Sequence, residues 1–216
     1  MPTHHPDEVL LLEYAAGSLD EAKSLLVATH LALCPACRGI VRSGEATGAA
    51  LAFDGAAEDV GAPPDVTGHA VERTRGPVTL PPGPAVPEPL RVYLGAPVSE
   101  LGWVPVLSGM RAFPLPVFKG RSSVRLLAIE PGRRMPRHTH EGDELTLVLQ
   151  GSFADATGNY ARGDVATADA SIDHQPQAGA GELCLCLAVE DAPLRLTGIN
   201  GALINMASAV RKLLSR

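Results

Sequence analysis

Four cysteines and seven histidines are the residues of this chain best suited to chemistry, and most of them fall into two groups. The first is His30-Leu31-Ala32-Leu33-Cys34-Pro35-Ala36-Cys37, a His-x3-Cys-x2-Cys spacing. Residues four apart on a helix share a face, so His30 and Cys34 point the same way. Cys37 follows at the separation at which paired thiolates grip one tetrahedral ion. A fourth ligand must come from elsewhere. His4 and His5 precede the first helix, and an antiparallel helical hairpin returns residue 30 towards its starting end. Either can complete a Cys2His2 set, and His5 is preferred. Two thiolates and two imidazoles in a closed set describe a structural zinc site. Such a site leaves no position open for substrate; its work is to fold short helices that bury little core of their own.

The second group is Gly132-x5-His138-x-His140-x3-Glu144-x6-Gly151. Alternate residues of a strand point to one side, so His138 and His140 aim together. Glu144 follows a Gly142-Asp143 break and offers an oxygen ligand. His174 is the only histidine downstream, and it is expected to complete the set from an adjacent antiparallel strand. Three imidazoles and a carboxylate suit zinc or another divalent transition metal such as iron, manganese or nickel. The spacing resembles the first cupin motif at every position, which implies a β-barrel. The second cupin motif, counted from Gly163, keeps His174 in register. It has Asp169, Ser171 and Ala178 where the motif has Pro, Gly and Asn. The resemblance therefore implies the barrel and its ligand set, and no borrowed catalysis.

These groups need elements to position them. Residues 6–50 read as helices: one ending at Gly17, a second opening on the capping-box pattern Ser18-Leu19-Asp20-Glu21, and a third starting at Pro35 and running towards Leu51. A short further helix between Asp65 and Arg75 is weakly signalled. Prolines at 77, 81, 82, 84, 87 and 89 make Thr79–Pro89 an extended linker with polyproline II character. Beyond Leu90 the pattern becomes strand-like, with β-prone runs at Val124–Glu130, Leu145–Leu149, Val165–Thr167 and Leu183–Val189 between Gly-containing turns. Ala202–Leu214 has the pattern of a terminal amphipathic helix. The expected organisation is a multi-domain α + β chain. An N-terminal zinc-binding helical bundle (1–70) and a linker (71–89) precede a C-terminal cupin β-barrel (90–195) and a tail (196–216).

Composition limits what such a chain does. Of 216 residues 45% are hydrophobic, enough to build a core, while 22 Gly and 19 Pro supply turns and a linker. The net charge of −6 argues against binding nucleic acid by bulk electrostatics. No apolar run approaches the roughly 18–20 residues of a membrane span, and no basic region precedes an apolar stretch at the N-terminus. The expectation is a cytoplasmic protein with reduced cysteines, without membrane or direct nucleic-acid partners. Cys184 and Cys186 share one face of a strand opposite Leu183, Leu185 and Leu187. They read as small residues filling a barrel wall; a Cys-x-Cys redox sensor is the sharper alternative. His69 reads as an exposed bystander and Trp103, the single tryptophan, as core.

The pattern His5-x24-His30-x3-Cys34-x2-Cys37, with Ala15-Ala16-Gly17-Ser18-Leu19 and Ala28-Thr29-His30-Leu31, resembles that of zinc-containing anti-sigma domains. With the barrel motif and Leu90-Arg91-Val92-Tyr93-Leu94-Gly95, the resemblance extends over nearly the whole chain to ChrR-type anti-sigma factors. It implies a negative regulator of transcription and no enzyme. Its zinc-dependent N-terminal domain sequesters an extracytoplasmic-function (ECF) sigma factor. Its metal-binding cupin domain releases that factor on oxidative stress, singlet oxygen or a related oxidant. A metal-dependent cupin enzyme, a dioxygenase or isomerase with an accessory zinc domain, is the alternative. A zinc-dependent DNA-binding regulator is weaker, since Lys23, Arg38 and Arg42 are the only Lys or Arg side chains up to residue 50.

Overall fold

A computed structural model describes residues 1–53, 86–115, 118 and 122–197. The expected helices at 65–75 and 202–214, His69 and most of the proline-rich segment lie outside them. Helix α1 (Glu8–Ala15) starts where the Asp7 carboxylate accepts the Leu10 N–H, and Gly17 ends it with φ of +68°, a conformation costly for other residues. Helix α2 (Glu21–Leu33) is capped by Asp20, which accepts the N–H groups of Ala22 and Lys23. The expected Ser18 capping box does not form, and Ser18 Oγ donates to the Glu13 carbonyl instead. Asp20 brings a full negative charge to the helix N-terminus, which a hydroxyl cannot match. Helix α3 (Pro35–Phe53) begins on its proline, as the missing N–H of that residue allows.

A helix also replaces part of the strand-like pattern expected beyond Leu90. Helix α4 (Glu88–Leu94) has Pro89 in its first turn, where a fixed φ favours the helix, and Gly95 closes it with φ of +66°. Leu90 and Leu94, one turn apart, are both buried.

Eleven strands follow among the described residues. They are β1 (Val104–Leu107), β2 (Met110–Pro114), β3 (Ser123–Ile129), β4 (His138–His140), β5 (Glu144–Gln150), β6 (Ser152–Ala154), β7 (Asn159–Ala161), β8 (Val165–Ala168), β9 (Gln177–Ala178), β10 (Cys184–Glu190) and β11 (Leu194–Leu196). Their pairings are antiparallel: a six-stranded sheet β1-β2-β3-β10-β5-β8, a three-stranded sheet β7-β6-β9 and the pair β11-β4. The central strand β10 is buried along its whole length, because both faces of the sheet are covered there. On the inner face Cys184, Cys186 and Ala188 pack with Met110, Phe153 and Tyr160. On the outer face Leu185, Leu187 and Val189 pack with Leu90 and Leu94 of α4 and with Ala22, Leu25 and Leu26 of α2.

Helix α2 therefore serves two cores. Its Val27 and Leu31 turn the other way, into a small cluster with Leu11, Cys34, Cys37 and Val41. Polar contacts reinforce the docking: Lys23 Nζ lies 2.8 Å from the Asp191 carboxylate, and Tyr93 Oη donates to Glu21 at 3.0 Å. Among the described residues no helix is long and apolar enough to cross a membrane.

Candidate metal centres

The helical cluster forms where α2 ends and α3 begins. His30 sits in the last turn of α2, Cys34 caps it, and Cys37 lies in the first turn of α3. The segment before α1 supplies His5. Its Nδ1 is 3.4 Å from both Cys34 Sγ and Cys37 Sγ, and His30 Nε2 is 3.3 Å from Cys37 Sγ. One donor atom from each of the four residues falls within 4.8 Å of the others. Around a tetrahedral zinc ion with Zn–S of about 2.3 Å and Zn–N of about 2.0 Å, sulfur–nitrogen edges come to roughly 3.5 Å. His4 goes elsewhere: its ring packs on Tyr160 of the barrel, with centroids 4.6 Å apart.

The electrostatics of the pocket ask for a cation. Burial first, and then the neighbouring Cys34, push the Cys37 thiol up to about 12. Burial also lowers the basicity of His30, opposed by the bond from its ring to the Gly163 carbonyl. That bond, Nδ1 to oxygen at 2.8 Å, leaves the Nε2 lone pair facing Cys37. A divalent ion held there would reverse the thiol shift and take up that lone pair.

The barrel cluster is built by strand geometry. His138 and His140 share the inner face of β4, Glu144 opens β5, and His174 meets His138 through a bridge of two backbone hydrogen bonds of 3.0 Å. His174 Nε2 lies 3.0 Å from both His138 Nε2 and His140 Nε2. His138 Nδ1 donates to the Pro136 carbonyl at 2.8 Å, and His174 Nδ1 donates to Asp155 Oδ2 at 2.6 Å. Both rings therefore present unprotonated Nε2 atoms at close range, an arrangement that a metal ion satisfies. His140 Nδ1 is 3.1 Å from Glu144 Oε2 but out of line for hydrogen bonding, which leaves it buried without a partner.

Charge follows the same logic. Burial, then repulsion from His138 and His174, pushes His140 down to about 4, and burial also lowers His138; both rings are neutral near pH 7. Burial, then Glu190, pushes the Glu144 carboxyl up to about 7. Glu190 lies directly across from Glu144 on β10 and is paired with Arg125. Two buried carboxylates facing one guanidinium leave negative charge for a cation to balance.

Asp155 is a functional candidate that the sequence does not single out. Its side chain is 1% exposed. Burial alone would raise its carboxyl, but the hydroxyl and N–H of Thr157 and the His174 ring outweigh burial and hold it below its ordinary range. The segment Ala154-Asp155-Ala156-Thr157-Gly158 reads as a plain turn, and its partner is 19 residues away. A cavity of about 40 Å³ adjoins the cluster, lined by Leu127, Met135, Phe153 and Cys186 as well as His138, Glu144 and His174. Outside His174 and Asp155 an open polar hollow of about 340 Å³ is bordered by Arg134, Arg137 and Gln177.

The other singled-out residues have structural places. Cys184 Sγ and Cys186 Sγ are 3.6 Å apart inside the barrel. The hydrogen bond with Cys184, then burial, raises the Cys186 thiol, the opposite of an activated thiolate. Trp103 is half-buried, and its indole N–H donates to the Val98 carbonyl at 3.0 Å.

With this geometry in place, three comparisons bear on the chain. The model of the ChrR Cupin-like domain family matches residues 94–193. The anti-sigma-E factor ChrR of Cereibacter sphaeroides is 40% identical over 195 residues, covering 89% of this chain and 91% of that protein. The chain belongs to the ChrR anti-sigma family. The Rhodobacter sphaeroides anti-sigma ChrR, solved in complex with SigE, superposes with a TM-score of 0.71 at 37% identity, covering 88% of this chain and 99% of that one. An RmlC-like cupin protein from Ralstonia eutropha JMP134 matches at 21% identity and a TM-score of 0.42, over 48% of this chain and 71% of its own. ChrR membership makes the β region a cupin domain preceded by a helical region, as the motifs at Gly132–Gly151 and His30–Cys37 lead one to expect.

Proposed function

We propose that this protein is an anti-sigma factor that binds an ECF-type sigma factor through its helical region and so represses transcription from the cytoplasm. One observation carries the reading: the 37% identical ChrR structure, 99% of which is covered here, is a complex with SigE. In this reading His5, His30, Cys34 and Cys37 hold a structural zinc ion, which ties the segment before α1 to the α2–α3 corner. A bound zinc supplies crosslinking between short helices, and the helices supply the surface for the sigma factor. His138, His140, Glu144 and His174 hold a second divalent transition metal. Asp155 orients His174, and Glu190 with Arg125 sets the charge beside Glu144. The domains are 1–70 and 90–195, joined by a 71–89 linker and followed by the 196–216 tail.

Release of the sigma factor on oxidative stress, through singlet oxygen or a related oxidant, is assigned to the cupin metal centre. The cavity beside it suits that role better than turnover of a metabolite. At about 40 Å³ it has room for a few water-sized molecules, whereas sites for drug-sized ligands occupy about 300–1,000 Å³. The polar hollow outside His174 favours the second reading, a metal-dependent enzyme, with substrate approaching from Arg134 and Arg137. Purification of the full chain from its own cells separates the two. Stoichiometric recovery of a sigma factor, with loss of that partner after oxidant treatment, is the expected result. Isolation without any sigma factor, together with turnover of a small molecule, overturns it.

A further inference from the structure

The helical cluster does not stand on its own helices alone. A turn of the barrel, Gly163–Asp164 between β7 and β8, touches the supports of both of its histidines. His30 donates its Nδ1 proton to the Gly163 carbonyl at 2.8 Å. The Asp164 carboxylate grips the chain just ahead of His5: Oδ1 accepts the N–H of Thr3 at 2.6 Å and that of His4 at 3.0 Å. The Val165 N–H then donates to the His4 carbonyl at 3.1 Å. Asp164 is only 3% exposed, so these bonds are made away from water.

The same turn is anchored in the barrel. Gly163 N–H donates to the Val148 carbonyl at 2.8 Å, and Val148 N–H donates to the Asp164 carbonyl at 3.0 Å. Asp164 Oδ2 accepts the Ala161 N–H at 2.8 Å. Val148 lies on β5, the strand that opens with Glu144. At Gly163, φ is +94°, and a side-chain carbon there would meet Pro2 at 2.7 Å. The turn thus has the shape that lets the N-terminal segment lie against it.

We propose that the Gly163–Asp164 turn is the outer support of the helical metal centre, with Asp164 the positioning residue for His5 and the Gly163 carbonyl setting the tautomer and aim of His30. The inference rests on the reading of His5, His30, Cys34 and Cys37 as metal ligands. It goes beyond that reading by making the cupin domain part of the site, so that ion affinity at the helical end depends on a barrel turn. Outer partners of ligating histidines typically change metal affinity about 10–100-fold when removed.

The test uses the full chain with cobalt(II) as probe, because a thiolate–cobalt charge-transfer band reports on the cysteine-containing cluster and not on the all-oxygen-and-nitrogen cluster of the barrel. Two variants approach the contact from opposite sides. Asp164→Ala removes every acceptor of the carboxylate, including the one that serves the barrel's own Ala161. Thr3→Pro removes the N–H and the hydroxyl that the N-terminal segment gives to Asp164, and leaves the carboxylate's bond to Ala161 in place. Both are expected to weaken cobalt binding, and zinc binding by chelator competition, about 10-fold or more, while Thr3→Pro leaves thermal unfolding of the barrel unchanged. Affinities within twofold of the parent in both variants overturn the proposal. A loss confined to Asp164→Ala also overturns it, because it marks a role within the barrel turn alone. Should Asp164→Ala fail to fold, Thr3→Pro decides. Absence of the thiolate–cobalt band in the parent protein brings down the ligand reading itself, and this inference with it.

Discussion

The two candidate metal centres differ in how they are made and in what surrounds them. The helical one gathers two thiols and two imidazoles from one helix corner and the segment before α1, with three of the four donor residues buried. Its environment is closed by Leu11, Val27, Leu31 and Val41. The barrel one gathers three imidazoles and a carboxylate from β4, β5 and the loop before β9, and a cavity adjoins it. Soft sulfur ligands in a closed shell suit a fixed ion that holds structure. Nitrogen and oxygen ligands beside a cavity suit an ion that meets small molecules. The difference teaches that ligand type and access, and not ligand number, set apart two four-residue clusters of one chain.

The strongest way to break this comparison is at the thiols. Replacing Cys34 and Cys37 together with Ser is expected to remove one equivalent of zinc and to weaken sigma binding by about 100-fold or more, since a structural zinc site contributes folding energy outright. Metal content and binding calorimetry check it, and an unaltered affinity for the sigma factor would sink the structural role. At the barrel, His138→Ala with His140→Ala is expected to remove the second metal and blunt oxidant-driven release. Sigma affinity in that variant stays within about threefold if the centres are independent for binding, as distant sites generally are. Equal loss of sigma affinity at both centres would erase the division of labour.

Asp155→Asn is a finer cut. It preserves shape but offers His174 a neutral partner, and it is expected to weaken the barrel metal about 10-fold while the thiolate–cobalt band stays as it was. An equilibrium competition with a chelator reads that shift directly, and equal affinity in the variant would make Asp155 a bystander.

The smallest effect concerns pH. Burial acts to raise the Asp164 carboxyl, but the N–H groups of Ala161, His4 and Thr3 outweigh it and hold the group below its ordinary value of 3.8. A depressed carboxyl stabilises the fold above the unfolded value and ceases to do so as pH falls through the folded one. The stability difference between the parent and Asp164→Asn, about 2 kcal/mol for bonds to a charged group, should therefore be present at pH 5 and be lost as pH falls below 3.8 through the folded value. Denaturant titrations across that range give the profile; a difference that grew on acidification would contradict the assignment.

What was legible in the sequence is what lies close along the chain. His30, Cys34 and Cys37 fall within two helical turns, and His138, His140 and Glu144 within one strand and the start of the next, so spacing alone groups them. His174 emerged from register with Gly163. Asp155 and Asp164 did not emerge, because turns routinely carry an aspartate and their partners are 19 and 160 residues away. The ion pair of Lys23 with Asp191 spans 168 residues and leaves no local trace. Helix α4 was hidden by the proline run around it, since Pro89 marks a linker as readily as a first turn. At the start of α2 the capping-box spacing points to Ser18, whereas the carboxylate of Asp20, two residues on, caps the helix.

Helix α2 has almost no surface left to give. Of its 13 residues only Glu21 and Ala32, at its two ends, are exposed. One side belongs to the sheet and the other to the cysteine corner. A visiting protein can add itself to α1, where Val9 and Leu12 stand 65% and 48% exposed, without disturbing either neighbour. To reach the face of α2 that packs on the sheet it would have to part the helices from the barrel, which would pull the Gly163 carbonyl from His30. Occupancy of that face and integrity of the joint exclude each other.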